Sequence, residues 1–481
     1  MNRSLKISSI KQNYIYNTLY QIFTMITPLI TVPYVSRILG VDNVGIQSFT
    51  KSVVTYFTLF AALGTVAYGQ REIAMNRNDK YARSKLFWEI ELLSIFTTAI
   101  TIVAWSAFCL FSKEYSTIYY ILTFEILSVA FDVSWLFMGL EQFKFIVIRN
   151  SIVKIGGIIL IFIFIKHSDD LYIYIAINAI SVLMGNVATW TYLPKVIRKV
   201  CLKDLRPLSH LKGTISYFIP TIAVSVYTVL DRTMIGAITG SEVQNGNYEQ
   251  ASKIIQIIKN LIVSLNIVMS SRMSYLFSQN RINEIKNKMD QSFGFLFFVA
   301  IPSMFGLIGI STNFVPWFFG RGYEGVVSLL CILSPLPWII CVSNTLGNQY
   351  LTPSGQRVRS SKGIVFGAIV NVIANAILIP RFAAQGAAIG TIIAELSISI
   401  TYIYMSKDFV SIKQLWMKTW KRLIAGFIML FVVWSIGKGY HGSIIITICQ
   451  MLVGISVYLI MLLILHDTDL VQLIKIKLRK L

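Results

Sequence analysis

Apolar blocks of about 20–25 residues, separated by short polar stretches, recur along this 481-residue chain from one end to the other. At a rise of about 1.5 Å per residue, some 20 apolar residues span the hydrocarbon core of a bilayer. A helix in a soluble core would keep one polar face for water, whereas most of these blocks are apolar all round. Composition agrees: 55% of residues are hydrophobic and 14% charged, against about a quarter charged in soluble domains. The expected fold is all-α and polytopic, with about fourteen transmembrane helices running from 14–38 to 443–465. The blocks at 149–166 and 423–437 are the shortest.

The net charge of +21 would suggest nucleic acid in a soluble protein. Here the basic residues sit between spans, where they set topology and meet anionic headgroups, so no nucleic-acid partner is expected. With the N-terminus inside, the inner segments carry 31 Lys and Arg, among them Arg71, Lys199, Arg206 and Arg359, and the outer loops carry five: Lys113, Lys166, Arg321, Arg381 and Lys438. This asymmetry predicts an even number of spans and cytoplasmic termini. The first 13 residues are polar and no small-residue cleavage site follows the first block, so no signal peptide is expected.

The outer loops are short, so the chemistry must lie within the membrane or at its surfaces. Cys109, Cys201, Cys331, Cys341 and Cys449 show no metal or disulfide spacing, and His167, His210, His441 and His466 fall in loops or flanks. No metal, cofactor or enzymatic activity is expected; no nucleophile–base constellation is legible.

A weak internal repeat links Pro28…Arg37-Ile38-Leu39-Gly40…Lys51 to Pro220…Arg232-Thr233-Met234-Ile235-Gly236…Lys253. It divides the chain into an N-terminal lobe of spans one to six (1–205), a C-terminal lobe of spans seven to twelve (206–410), and two further spans with a tail (411–481).

Seven basic residues fall within spans: Arg37, Lys51, Lys154, Arg232, Lys253, Lys259 and Arg272. Each costs about 2.5–3.5 kcal/mol at a helix centre, so such residues usually face a bundle interior or a wet cavity. Snorkelling accounts for Lys154 and Arg272, near the inner ends, and competes with function for Arg37 and Arg232. Lys51 and Lys253 lie about 10 Å deep and Lys259 about 18 Å, too far for snorkelling to explain easily. Polar stripes accompany them: Asn17 and Gln21 in the first span, Gln47 beside Lys51 in the second, and Gln256 and Asn260 beside Lys253 in the eighth. A shared aqueous cavity and helix–helix hydrogen bonding both account for such stripes. Read as a cavity, it is net positive and suits a phosphate-bearing anion. If such a cavity moves its anion across the membrane, affinity must shift between two states, and a coupling ion, H+ or Na+, is then expected at the intramembrane carboxylates Asp132, Asp231 and Glu395.

Three stretches resemble bacterial oligosaccharide flippases of the Wzx type, within the multidrug/oligosaccharidyl-lipid/polysaccharide exporter superfamily. They are Tyr16-Asn17-Thr18 with Pro28 to Gly40, Tyr68-Gly69-Gln70-Arg71-Glu72-Ile73-Ala74, and Phe131 to Lys144 followed by Arg149-Asn150. The resemblance covers essentially the whole chain. It implies two six-helix lobes around a cavity plus two further helices. It also implies transfer of undecaprenyl-diphosphate-linked oligosaccharide repeat units to the outer leaflet for capsule, O-antigen or exopolysaccharide, in a bacterial inner or plasma membrane. Membrane lipids, a polysaccharide polymerase and export machinery are the implied partners. Basic cavity residues of the family match Arg37, Lys51, Arg232 and Lys253 in kind, and lysine here would forgo the bidentate grip of arginine. The rival readings are a drug or small-molecule antiporter of the same superfamily, whose cationic substrates favour cavity carboxylates, and a lipid II flippase.

Overall fold

The computed structural model describes residues 10–440 and 442–471, with side chains described from Phe23 onward apart from short stretches within the helices. The basic residues Arg3 and Lys6 and those from Lys475 to Lys480 lie outside the described residues, as does His441. Among the described residues the chain is helical and contains no strand.

In unit 1 the helices are α1 (Ile10–Ala62), α2 (Thr65–Met75), α3 (Lys80–Phe111), α4 (Ser116–Val129), α5 (Ser134–Gly139), α6 (Phe143–Phe164) and α7 (Leu171–Thr189), followed by α8 (Leu211–Thr239). Unit 2 contains α9 (Glu242–Ser278), α10 (Ile282–Phe319), α11 (Gly325–Leu333), α12 (Leu336–Thr345), α13 (Arg357–Met405), α14 (Ile412–Gly437) and α15 (Ile444–Ile464). The two compact units meet in sequence within α8, between Thr233 and Met234.

Eleven helical segments among the described residues are long and apolar enough to cross a membrane. Two of them contain a break. Gly40 (φ 78°) turns α1 back on itself, a left-handed conformation that glycine adopts without steric cost. Ala383 (φ 49°) does the same for α13 just after Pro380. With both breaks and α8, the chain is the fourteen-span membrane protein expected from the hydropathy pattern. The short spans grow in the structure. The block at 423–437 becomes α14 from Ile412, because its first turns carry Lys413, Trp416, Lys418 and Trp420, residues of the membrane–water interface that dilute hydropathy without ending a helix. Pro335 and Pro337 mark the junction of α11 and α12, where the chain turns before continuing into a π-helical segment, Leu346–Leu351.

Caps fix several helix starts. The Asp79 carboxylate accepts from the amides of Tyr81 and Ala82 at the start of α3, and the hydroxyls of Ser241, Ser411 and Ser443 accept at the starts of α9, α14 and α15. Asp132 does likewise for α5, accepting from the Ser134 amide at 3.0 Å.

Two of the sequence motifs pack on one another. A Cβ on Gly69 of α2 would lie 2.5 Å from Trp135 Cε3 of α5, and one on Gly139 would lie 2.7 Å from Ile73 Cγ2. Trp135 is buried and stacks on Phe87 of α3, with ring centroids 5.5 Å apart. Small residues are therefore needed where α2 and α5 cross. We expect Gly69→Ala to destabilise the protein by about 1–3 kcal/mol through overpacking against an immobile ring. Gln70→Ala on the exposed face is the control; unfolding in detergent, followed by tryptophan fluorescence, compares the two.

Candidate anion site and its ion pairs

The sequence-selected basic residues divide between the units. Arg37, Lys51 and Arg232 belong to unit 1, Lys253 and Lys259 to unit 2. Arg37 is exposed on α1, and Arg232 and Lys259 are partly buried. The side chains of Asn17 and Gln21 lie outside those described.

Lys51 stands where α1 packs on α4 and α7. Its ammonium pairs with Glu125 Oε2 of α4, and the lysine side chain remains 45% exposed while the glutamate is 8% exposed. Gln47, Thr50 and Asn178 line the same narrow cleft. Placing a carboxylate in a span is costly unless it is paired, and Lys51 supplies that pair. The lysine itself keeps an open side from which a second anion could approach.

Lys253 is held differently. Its partner is Glu249 on the same helix, 3.2 Å away and one turn earlier. Beyond it, Gln256 Nε2 donates to Asn260 Oδ1 at 2.7 Å, so the polar stripe of α9 is internally hydrogen-bonded and exposed. Lys51 and Lys253 thus each carry a carboxylate partner, and a phosphate arriving there competes with a local anion instead of entering a purely positive cavity. Sequence reasoning missed both partners. Glu249 was legible, because a Glu four residues before a Lys on a helix is the favourable pairing order. Glu125 was not, since its contact joins residues 74 positions apart.

The three coupling candidates are also engaged. Asp132 caps α5, Asp231 is buried on α8, and Glu395 is buried on α13. Arg149 ties α6 to α7, donating from Nη1 to Thr189 Oγ1 at 2.5 Å, and Asn186 Nδ2 ties α7 to the Ser128 carbonyl of α4 at 2.9 Å. The Arg149-Asn150 motif therefore contributes to packing within unit 1.

Between α9, α10, α14 and α15 of unit 2 lies an apolar cavity of about 580 Å3 lined by Ile258, Phe298, Pro302, Met429, Ile455 and Leu459, among others.

The family described as "Polysaccharide biosynthesis protein" matches residues 10–277. The chain belongs to this family. A protein of Escherichia coli (strain K12) named as an O-antigen transporter is 26% identical over 393 residues, 80% of this chain and 94% of that relative. A Haloferax volcanii protein named as a low-salt glycan biosynthesis flippase is 26% identical over 239 residues, 48% of this chain and 49% of the relative. Among solved structures, the lipid II flippase MurJ in an inward closed conformation superposes with a TM-score of 0.74 at 17% identity, covering 94% of this chain and 99% of that one. An inward-facing multidrug MATE transporter gives 0.65 at 14% identity, covering 86% and 98%. At such identities these likenesses establish the fold. The chain has the MurJ/MATE-like fold of a polytopic transporter.

Proposed function

We propose that this protein flips undecaprenyl-diphosphate-linked oligosaccharide repeat units from the cytoplasmic to the outer leaflet by alternating access. The observation that carries the reading is Lys51, a half-exposed ammonium deep in a span, paired to a buried glutamate and open on one side. A diphosphate arriving on the open side can share the ammonium with Glu125, so the buried carboxylate stays compensated. Lys253 with Glu249 offers the same chemistry in unit 2. Arg37, Arg232 and Lys259 add positive charge along the route.

The apolar cavity of unit 2 supports a lipid-linked substrate. Ile258 lines it, and the next residue on α9 is Lys259. A long polyprenyl chain could lie there while its diphosphate meets the basic residues of the same helix. The family and its named relatives support a glycan headgroup. The charge bias between loops supports cytoplasmic termini and a bacterial inner membrane, where a polymerase and export machinery would receive the flipped unit.

Reconstitution tests the reading. Proteoliposomes carrying the purified protein should translocate an undecaprenyl-diphosphate oligosaccharide, scored by access of an added glycosidase, well above protein-free vesicles. Translocation of lipid II at the same rate, or of a cationic dye in its place, would reassign the substrate class.

A further inference from the structure

A buried stripe runs along α3. Glu91, Ser94, Thr98 and Thr101 follow at spacings of three and four residues, so they share one face, and all four are buried. From Glu91 to Thr101 the stripe extends about 15 Å along the helix. Glu91 is fully buried (0% exposed), and neither of its carboxyl oxygens has a hydrogen-bond partner among the described residues. The Thr98 hydroxyl, two turns away, is likewise buried without a partner among them.

Several charged groups on the elements packed against α3 have partners of their own. On α1, Lys51 pairs with Glu125 of α4. On α2, Arg71 pairs with Glu72 at 3.1 Å, and Tyr68 Oη shares a 2.8 Å hydrogen bond with His210 Nδ1. In the short turn before α8, His210 Nε2 meets Glu89 Oε2 at 3.0 Å, and the Arg206 amide donates to the other Glu89 oxygen at 2.9 Å. On α3 itself, Arg83 donates to the carbonyls of Arg77 and Val196. After α4, Asp132 acts electrostatically on Glu91 and adds a like charge. Glu89, two residues earlier, thus has its oxygens satisfied, while Glu91 has neither counter-ion nor donor among the described residues. An ionised carboxylate in that position would be far more costly than the neutral acid, and buried groups in this situation neutralise.

We propose that Glu91 is a proton-binding site of unit 1, holding its proton in this conformation and releasing it to water when the charge-rich end of the unit opens. Ile90, the neighbour of Glu91 in sequence, belongs to a buried apolar cluster with Ile73, Phe87, Trp135 and Leu136. The step is a simple proton exchange between the Glu91 carboxyl and water, and the hydroxyls of Ser94 and Thr98 extend the polar face away from the opening. The site stands on the geometry of unit 1; that it drives translocation rests on the flippase reading. Sequence reasoning chose Asp132, Asp231 and Glu395 as coupling groups, and the structure adds Glu91, a buried acid with no hydrogen-bond partner among the described residues.

Infrared difference spectroscopy on the full-length protein in lipid nanodiscs tests this without any substrate, so its outcome is independent of the flippase reading. At neutral pH the spectrum of the parent minus Glu91→Gln should contain a carboxylic-acid carbonyl band that shifts in D2O. Glutamine is close in shape to the protonated acid, so Glu91→Gln should melt at the parent temperature, whereas Glu91→Lys should fail to accumulate. Absence of an acid band removed by Glu91→Gln would overturn the proposal. So would loss of the band on replacing potassium with sodium at constant pH, which would make the site one for a metal cation.

Discussion

Replacing Arg422 with alanine is expected to cost about 3–5 kcal/mol of stability, because it strands the buried Asp467 carboxylate without its counter-ion. Arg422 is fully buried where α14 packs on α10. Its guanidinium grips Asp467 with Nε and Nη2, each at 3.0 Å, reaches Asp469 at 2.7 Å, and donates to the Gly294 carbonyl of α10 at 2.5 Å. Lys418, one turn earlier, bridges Asp290 of α10 at 2.9 Å and Asp469 at 3.2 Å. One side chain thus fastens α14, α10 and the segment after α15. Arg422→Lys keeps the charge but loses the fork, and should recover only part of the loss. Replacing both partners with apolar residues, Arg422→Met with Asp467→Leu, should cost much less than Arg422→Ala alone, since it leaves no unpaired charge at that contact. Thermal unfolding in detergent, with yield of monodisperse protein as a second readout, checks the order.

The same network gives a pH dependence. Burial pushes the Asp467 carboxyl up, but the hydrogen bonds and charge of Arg422 outweigh it and hold the group below its usual range. A carboxylate lowered on folding contributes stability that is present above its unfolded value, about 3.9, and is lost as pH falls through the folded value. The melting temperature should therefore drop below about pH 4, and Asp467→Asn should weaken that acid-side dependence.

How much of this was legible follows from the kinds of interaction involved. The spans were legible because lipid imposes one requirement, a long apolar helix, on every stretch that crosses it. The break at Gly40 was legible because it falls just past the first apolar block, 14–38, and glycine acts locally. Arg422 was counted as a charge setting topology, because its sequence neighbours Lys418 and Lys421 are basic and its partners lie 45 and 47 residues away. Nothing in the sequence separates Glu91 from Glu89; among the described residues Glu89 is satisfied by a turn more than a hundred residues later, while Glu91 is not. Hydropathy reports the solvent of a segment. It does not report which polar groups find one another once the helices pack.

Neutralising Lys51 and Lys253 together, with Glu125→Gln and Glu249→Gln to remove the carboxylates left behind, is expected to abolish transport while leaving the protein folded. A hydrogen bond to a charged group contributes about 1.5–3 kcal/mol, so each lysine lost from a diphosphate contact should slow translocation by about ten- to a hundredfold, and the pair by the product if they act independently. The ion pairs complicate the single variants. Lys51→Ala leaves Glu125 buried and uncompensated, so its effect mixes lost substrate binding with lost stability. Lys51→Ala with Glu125→Gln removes both charges and isolates the substrate term. Lys253→Ala takes a counter-ion from Glu249 on the same helix, which is nearly as buried as Glu125, so Lys253→Ala with Glu249→Gln is the variant that isolates the substrate term in unit 2. Exchanging the partners, Lys51→Glu with Glu125→Lys, moves the ammonium from the half-exposed position on α1 to the buried one on α4. The ion pair survives, but the open side now presents a carboxylate. If Lys51 serves only to neutralise Glu125, this exchange transports at the parental rate. If its exposed face meets the substrate diphosphate, the exchange is as inactive as the double alanine variant, and glycosidase access in proteoliposomes separates the two.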